Sequence, residues 1–291
     1  VSGYGAQDMA LPLRRVLMRR PGESLRKADP AVWHYGARFN AEQAIADYDG
    51  LVRLLMDRHV EIAWLGERDD GLADSMFTAD LSLVTAKGAV VLRPGKPARA
   101  GEAALHEAAF RAAGIPLLGR IKSPGTVEGG DCLWLDAETL AVGRGLRTDE
   151  DGIAALSELL APEGIDVLGY DLPLWRGADA CLHLGSVATF LARDLALIFP
   201  PILPVSFYRL LEEWGVSMIE APAEEFRDSA GMSVGVLTLG PRDIVMLDGY
   251  PRTRAAMEEA GCTVHLLSAE ALCIGCEGGL GGLVCPILRE A

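Results

Sequence analysis

The chain of 291 residues is half apolar, yet no uninterrupted apolar run reaches the roughly 18 residues of a membrane-spanning helix. It is also short of positive charge. Lysine and arginine number 27 against 41 aspartates and glutamates, for a formal net charge of −14. That disfavours nucleic acid as a partner, because phosphate binding needs a basic face. The acidic surface is compatible with attracting a cation and equally with solubility alone. The opening run Val1 to Asp8 lacks the basic start and apolar stretch of a signal peptide, so the expected location is the cytoplasm. Six cysteines in so long a chain make no disulfide framework. Cys273-Ile274-Gly275-Cys276 has the C-x-x-C spacing of zinc or redox chemistry. No second C-x-x-C or paired histidines follow it, and it runs into glycines rather than a long helix. A metal or redox role and ordinary reduced thiols both stay open. The dinucleotide fingerprint is missing as well. Gly143-Arg144-Gly145 has no third glycine at the right offset, and the glycines from Gly278 to Gly282 lead into a strand.

What is present is a repeat. Ser82–Thr85 and Ala89–Leu92 predict a hairpin, Gly101–Ala113 a helix, and Ile115–Leu118 a further strand. The order recurs in Cys132–Leu135, Thr139–Val142, Asp149–Ala161 and Ile165–Leu168. It recurs again in Ala188–Leu191, Leu195–Ile198, Val205–Trp214 and Val216–Ile219. A fourth copy is Val234–Leu237, Asp243–Leu247, Thr253–Ala260 and Thr263–Leu266. The N-terminal piece has Arg15–Met18, a helix over Ala41–Arg58, and Glu61–Trp64. It lacks one hairpin strand, which Leu283–Leu288 at the other end can supply. A helix in each unit excludes an all-β propeller, and the hairpins exclude a plain Rossmann order. The expectation is an α/β fold: a closed five-bladed propeller of strand–strand–helix–strand units, one catalytic domain over residues 1–291, with function at its axis.

Four polar motifs punctuate these units. They are Asp74-Ser75-Met76-Phe77-Thr78-Ala79-Asp80, Glu128-Gly129-Gly130-Asp131, Leu182-His183-Leu184, and Gly281-Gly282-Leu283-Val284-Cys285. Each has an ordinary explanation: Glu128 as a turn residue, His183 as a satisfied core histidine, Cys285 as an inert buried thiol, Asp80 as a turn cap. Together, two acids, a histidine and a late cysteine can grip a planar cation, attack it with sulfur and shuttle protons.

In that order the motifs resemble those of the guanidino-group-modifying enzymes, and most closely the dimethylarginine dimethylaminohydrolases. Arg93-Pro94-Gly95, the segment ending Arg147-Thr148, and Cys181-Leu182-His183-Leu184 add to the likeness, which spans nearly the whole chain. The resemblance implies the pentein fold and hydrolysis of a guanidino C–N bond in arginine or an N-methylated arginine, giving citrulline and an amine or ammonia. It implies Cys285 as nucleophile, His183 as acid–base and Glu128 as catalytic acid, with Asp80, Asp74, Phe77, Arg93 and Arg147 binding substrate. Arg93 and Arg147 are then a clamp on the substrate carboxylate. No metal or organic cofactor is expected, the partner is a small guanidino compound, and a homodimer is left open. Amidino transfer, double hydrolysis to ornithine, and a non-catalytic ligand-binding relative are the competing readings. Two departures bear on substrate: Ala79 stands where the family usually has glutamate, and Leu280 where it often has aspartate. Both are expected to remove an acid from near the pocket.

Overall fold

The computed structural model describes residues 3–66, 71–177 and 180–290. Val1 and Ser2 of the opening run lie outside them. In chain order the main elements are β1 (Leu13–Met18), α1 (Ala41–Asp57), β2 (Glu61–Trp64), β3 (Ser82–Val84), β4 (Ala89–Val91), α2 (Glu102–Ala112) and β5 (Leu117–Arg120). There follow β6 (Cys132–Trp134), β7 (Thr139–Arg144), α3 (Glu150–Leu160), β8 (Asp166–Asp171), β9 (Ala188–Ala192), β10 (Leu195–Ile198), α4 (Val205–Glu213) and β11 (Ser217–Glu220). The last are β12 (Leu237–Gly240), β13 (Asp243–Leu247), α5 (Pro251–Glu259), β14 (Thr263–Leu267) and β15 (Cys285–Arg289).

The strands form five three-stranded sheets. In each of the four internal units a hairpin pairs antiparallel and a helix carries the chain to a parallel third strand, as in β6–β7–α3–β8. The fifth sheet joins the chain's two ends, with β15 antiparallel to β1 at Leu17↔Cys285 and β2 parallel to β1 across α1. Burial falls across each sheet. Every residue of β9 and β10 is buried, whereas β11 is exposed at both ends.

Local chemistry sets the helices. Asp149 caps α3 by accepting from Gly152 N at 2.7 Å, and Gly152, Leu156 and Leu160 form a buried stripe at four-residue spacing. Asn40 caps α1 in the same way through Gln43 N, and Ala44, Tyr48, Leu51 and Leu55 supply its buried face.

Five strands, β5, β8, β11, β12 and β15, start later than the sequence predicts, and for β5 and β12 the backbone shows why. Pro116 has no N–H to give, and Ile115 N turns back to Phe110 O, so β5 begins at Leu117. Val234 and Val236 are buried as their composition demands, but their N–H groups bond to Gly231 O and Val234 O. The apolar run is spent on a turn, and β12 begins at Leu237.

The largest apolar cluster draws on β1, β9, β10, β12 and β13 and takes in Leu133, Ala141 and Tyr170 of the β6–β8 sheet; of two smaller ones, one joins the β3–β5 sheet to β6 and β7 and the other joins it to β1 and β15. Cys273 and Cys276 belong to the large cluster, and burial pushes both thiols up. Among the described residues no helix is long and apolar enough to cross a membrane.

Candidate active site

Four short 3-10 turns, Thr78–Leu81, Gly129–Asp131, Leu184–Ser186 and Leu280–Leu283, lead within one residue into β3, β6, β9 and β15. The turns touch one another, so motifs scattered over two hundred residues meet beside a cavity of about 560 Å³. Glycine makes this approach feasible. A Cβ on Gly129 would sit 2.0 Å from Ala79 O, and one on Gly130 would sit 3.0 Å from the His183 ring.

Ligand atoms of Asp80, Glu128 and His183 lie within 4.8 Å of one another. Glu128 is fully buried. Its Oε1 accepts from Gly95 N at 2.9 Å and Arg147 Nε at 2.8 Å. Its Oε2 has no hydrogen-bond partner among the described residues and faces His183 Nε2 at 3.6 Å. A buried carboxylate oxygen left unpaired is costly unless a ligand completes it. Asp80 accepts from Arg99 Nη1 at 2.7 Å and from Gly130 N at 3.1 Å. Burial alone would raise Asp80, but Arg99, His183 and Arg147 outweigh it and hold the carboxyl below its usual range. Because Arg99 and Arg147 already bond these two carboxylates, the set suits an organic cation better than a divalent ion.

His183 is oriented by a residue that sequence reasoning passed over. Its Nδ1 lies 3.1 Å from Asp131 Oδ2. Asp131 is itself fixed by the Thr148 hydroxyl at 2.6 Å and Leu184 N at 3.1 Å. A carboxylate can only accept, so Nδ1 carries a proton and Nε2 faces the cavity acids. Burial opposes protonation of the ring, but Cys181 and Asp131 prevail and hold the imidazole well above its ordinary value.

The two relevant thiols stand differently. Cys285 is 1 % exposed, and its Sγ lies 3.3 Å from Ser82 Oγ, which in turn meets His106 Nδ1 at 2.9 Å. Val284, Pro286 and Ser82 are on the cavity wall, while Cys285 packs with Leu17, Val84 and Phe110. Burial pushes its thiol up to about 11, and burial with nearby Arg99 and Arg19 pushes His106 down to about 3. Both shifts favour the neutral pair, so proton transfer from Cys285 to His106 is uphill and the resting thiol is protonated. Among the described residues the thiol that touches His183 is Cys181, on the cavity wall with Sγ 3.4 Å from Nε2.

Of the other residues singled out in the sequence, Asp74, Phe77 and Arg147 line the cavity. Arg93 does not. Its guanidinium donates to Pro124 O and Gly125 O at 3.0 Å each, where it ties two loops together. The buried arginine of the site is Arg99, held by Glu102 and Asp80; burial pushes the Glu102 carboxyl up to about 7 against the pull of Arg99. The Arg99–Glu102 spacing was the available signal for this pair. Of the two departures, Ala79 is on the cavity wall, but Leu280 is fully buried in the main core.

The arginine deiminase family model matches residues 70–214, the stretch that holds the first three motifs. A dimethylarginine dimethylaminohydrolase of Streptomyces coelicolor is 31 % identical over 206 residues, 67 % of this chain and 76 % of that one. This chain belongs to the dimethylarginine dimethylaminohydrolase-like family of guanidino-group-modifying enzymes. It is an amidine C–N hydrolase. A dimethylarginine dimethylaminohydrolase of Pseudomonas aeruginosa is 26 % identical over 251 residues, covering 86 % of this chain and 91 % of its own. In fold, this family member is similar to the N-terminal domain of a cyanobacterial arginine dihydrolase solved with a reaction intermediate covalently bound. The TM-score is 0.79 at 19 % identity, over 94 % of this chain and 98 % of that one.

Proposed function

We propose that the enzyme hydrolyses the guanidino group of arginine, an N-methylated arginine or a close analogue through a covalent adduct on Cys285, in one catalytic unit spanning residues 1–291. The observation that carries this reading is the unpaired Glu128 Oε2, buried beside Asp80 and His183. A planar guanidinium completes that acceptor with a charge-assisted hydrogen bond, and Asp80 shares the charge. A bound cation also lowers the pKa of a nearby thiol, so substrate binding drives loss of the Cys285 proton to solvent and leaves the thiolate. The thiolate attacks the central carbon and a C–S bond forms. His183 gives its Nε2 proton to the departing nitrogen as the C–N bond breaks. Water then attacks the S-alkylthiouronium, His183 takes its proton, and the C–S bond breaks to release the ureido product and the thiolate.

The five sheets are proposed to close a ring, a five-bladed α/β propeller. Contacts of β15 with β3, of β12 with β9 and of β1 with β12 support it.

The test is Cys285→Ser against Cys181→Ser. Cys285→Ser is expected to lose turnover by at least about 10³-fold, since a hydroxyl is far less ionised than a thiol. Peptide mapping after an amidine alkylating agent should find the label on Cys285. Label on Cys181 alone, with the serine variant of Cys285 active, sinks the assignment. Cys181 is the sharper alternative because it is the thiol already in contact with His183.

A further inference from the structure

Part of the cavity wall is built around Lys96, which follows the Gly95 that donates to Glu128. Its ammonium donates to Asp74 Oδ2 at 2.5 Å and to Trp33 O at 2.7 Å, and it lies 5.1 Å from the centre of the Trp33 ring. Asp74 Oδ1 accepts from the Tyr35 hydroxyl at 2.8 Å. Both side chains of the ion pair are at most 10 % exposed. Each oxygen of this cavity-lining carboxylate is therefore bonded, and its charge is cancelled by a buried cation. An incoming ammonium would meet Lys96 at the same place.

Donors are left over instead. Two of the three N–H groups of Lys96 are used, which leaves one. Arg147 spends Nε on Glu128, and its two terminal nitrogens have no hydrogen-bond partner among the described residues. The two cations share one wall. Lys96 follows Gly95, whose missing Cβ would lie 2.7 Å from Arg147 Cα, so any side chain there would force them apart. Against these donors stands one cavity carboxylate without a hydrogen-bond partner among the described residues, Glu277. Burial raises its pKa, and nearby Arg176, His34 and Lys96 pull the other way.

We infer that the enzyme selects guanidino compounds whose tail carries a carboxylate and no ammonium, the ω-guanidino carboxylic acids, with Lys96 and Arg147 receiving the carboxylate. The inference rests on the guanidinium lying at Glu128 and Asp80 as proposed above.

Three probes that differ only in the tail decide it: L-arginine, its des-amino analogue 5-guanidinopentanoate, and its decarboxylated analogue agmatine. The wild-type enzyme is expected to turn over 5-guanidinopentanoate with kcat/KM at least about tenfold above L-arginine, and agmatine slowest, since a charge-assisted hydrogen bond in a buried site carries that much discrimination. Lys96→Met frees Asp74 and should reverse the order of 5-guanidinopentanoate and agmatine. Calorimetric binding of the same probes to Cys285→Ser reads the tail preference without turnover. Ordered binding with no turnover of any probe removes the hydrolytic reading and keeps this one. Equal or tighter binding of L-arginine, or an order unchanged by Lys96→Met, overturns this inference and leaves hydrolysis standing. If Glu277→Gln selectively weakens L-arginine, the ammonium is received there and the inference also fails. No guanidine binding at all overturns both.

Discussion

At the scale of single residues, the site divides into groups that hold charge and one group that moves protons. Glu128, Asp80, Arg99 and Arg147 form a fixed array of two carboxylates and two guanidiniums before substrate arrives. His183 alone has one nitrogen pinned by Asp131 and the other directed at the cavity acids. That asymmetry suits both halves of a double displacement, because the same Nε2 gives a proton and later takes one. His183→Ala is expected to slow adduct breakdown at least as much as adduct formation, by about 10²–10⁴-fold. Mass spectrometry of quenched reactions should show a heavier Cys285 peptide accumulating. A variant with no adduct and a near-normal steady rate contradicts the role. Leu280 shows where residue-level analogy from sequence misleads. An aspartate there would enter the core and not the pocket, so only Ala79→Glu remains a sound probe of the two departures.

At the scale of elements, α2 buries His106 against Ser82 of β3, and Nε2 of that histidine has no partner among the described residues. Its folded pKa of about 3 lies below the ordinary 6.5. Between those values the unfolded chain binds more protons than the folded one. Stability therefore falls as pH drops through this window, with a slope of up to about 1.4 kcal/mol per pH unit. Urea unfolding from pH 6.5 to 5, above most carboxylate titration, should show the slope in the wild type and a flatter one in His106→Gln. Identical slopes mean that His106 is not the group responsible. The hairpins and helices were legible because each unit follows short continuous apolar strands with a helix of four-residue apolar spacing, as Leu140, Ala141 and Val142 give way to Leu156 and Leu160. The starts of β5 and β12 were not, since Ile115 and Val234 have strand composition but give their N–H groups to local turns. Arg99, Lys96 and Asp131 escaped notice for a different reason. Apart from Glu102, which stands three residues from Arg99, their partners lie far away in sequence, and arginine or lysine after a proline-glycine turn looks like solvated surface.

For the whole molecule, the informative pairing is β1 with β15. It makes one sheet from the two ends of the chain, and it carries Cys285 to the wall that β3 and β6 build. Truncation after Leu283 removes that strand and leaves the edge of β1 unpaired. The shortened chain is expected to lose its cooperative unfolding transition along with its activity. A retained sharp transition means that β15 is an appendage to four self-sufficient units. The pairing is also highly non-local, so its loop-closure cost is met only after the intervening units have formed. On the ribosome this sets an order of events. Asp80, Lys96, Glu128 and His183 are all synthesised before Cys285. A nascent chain halted short of β15 therefore lacks both that thiol and the strand that pairs with β1, and the four earlier residues gain their fixed geometry only when the last strand docks.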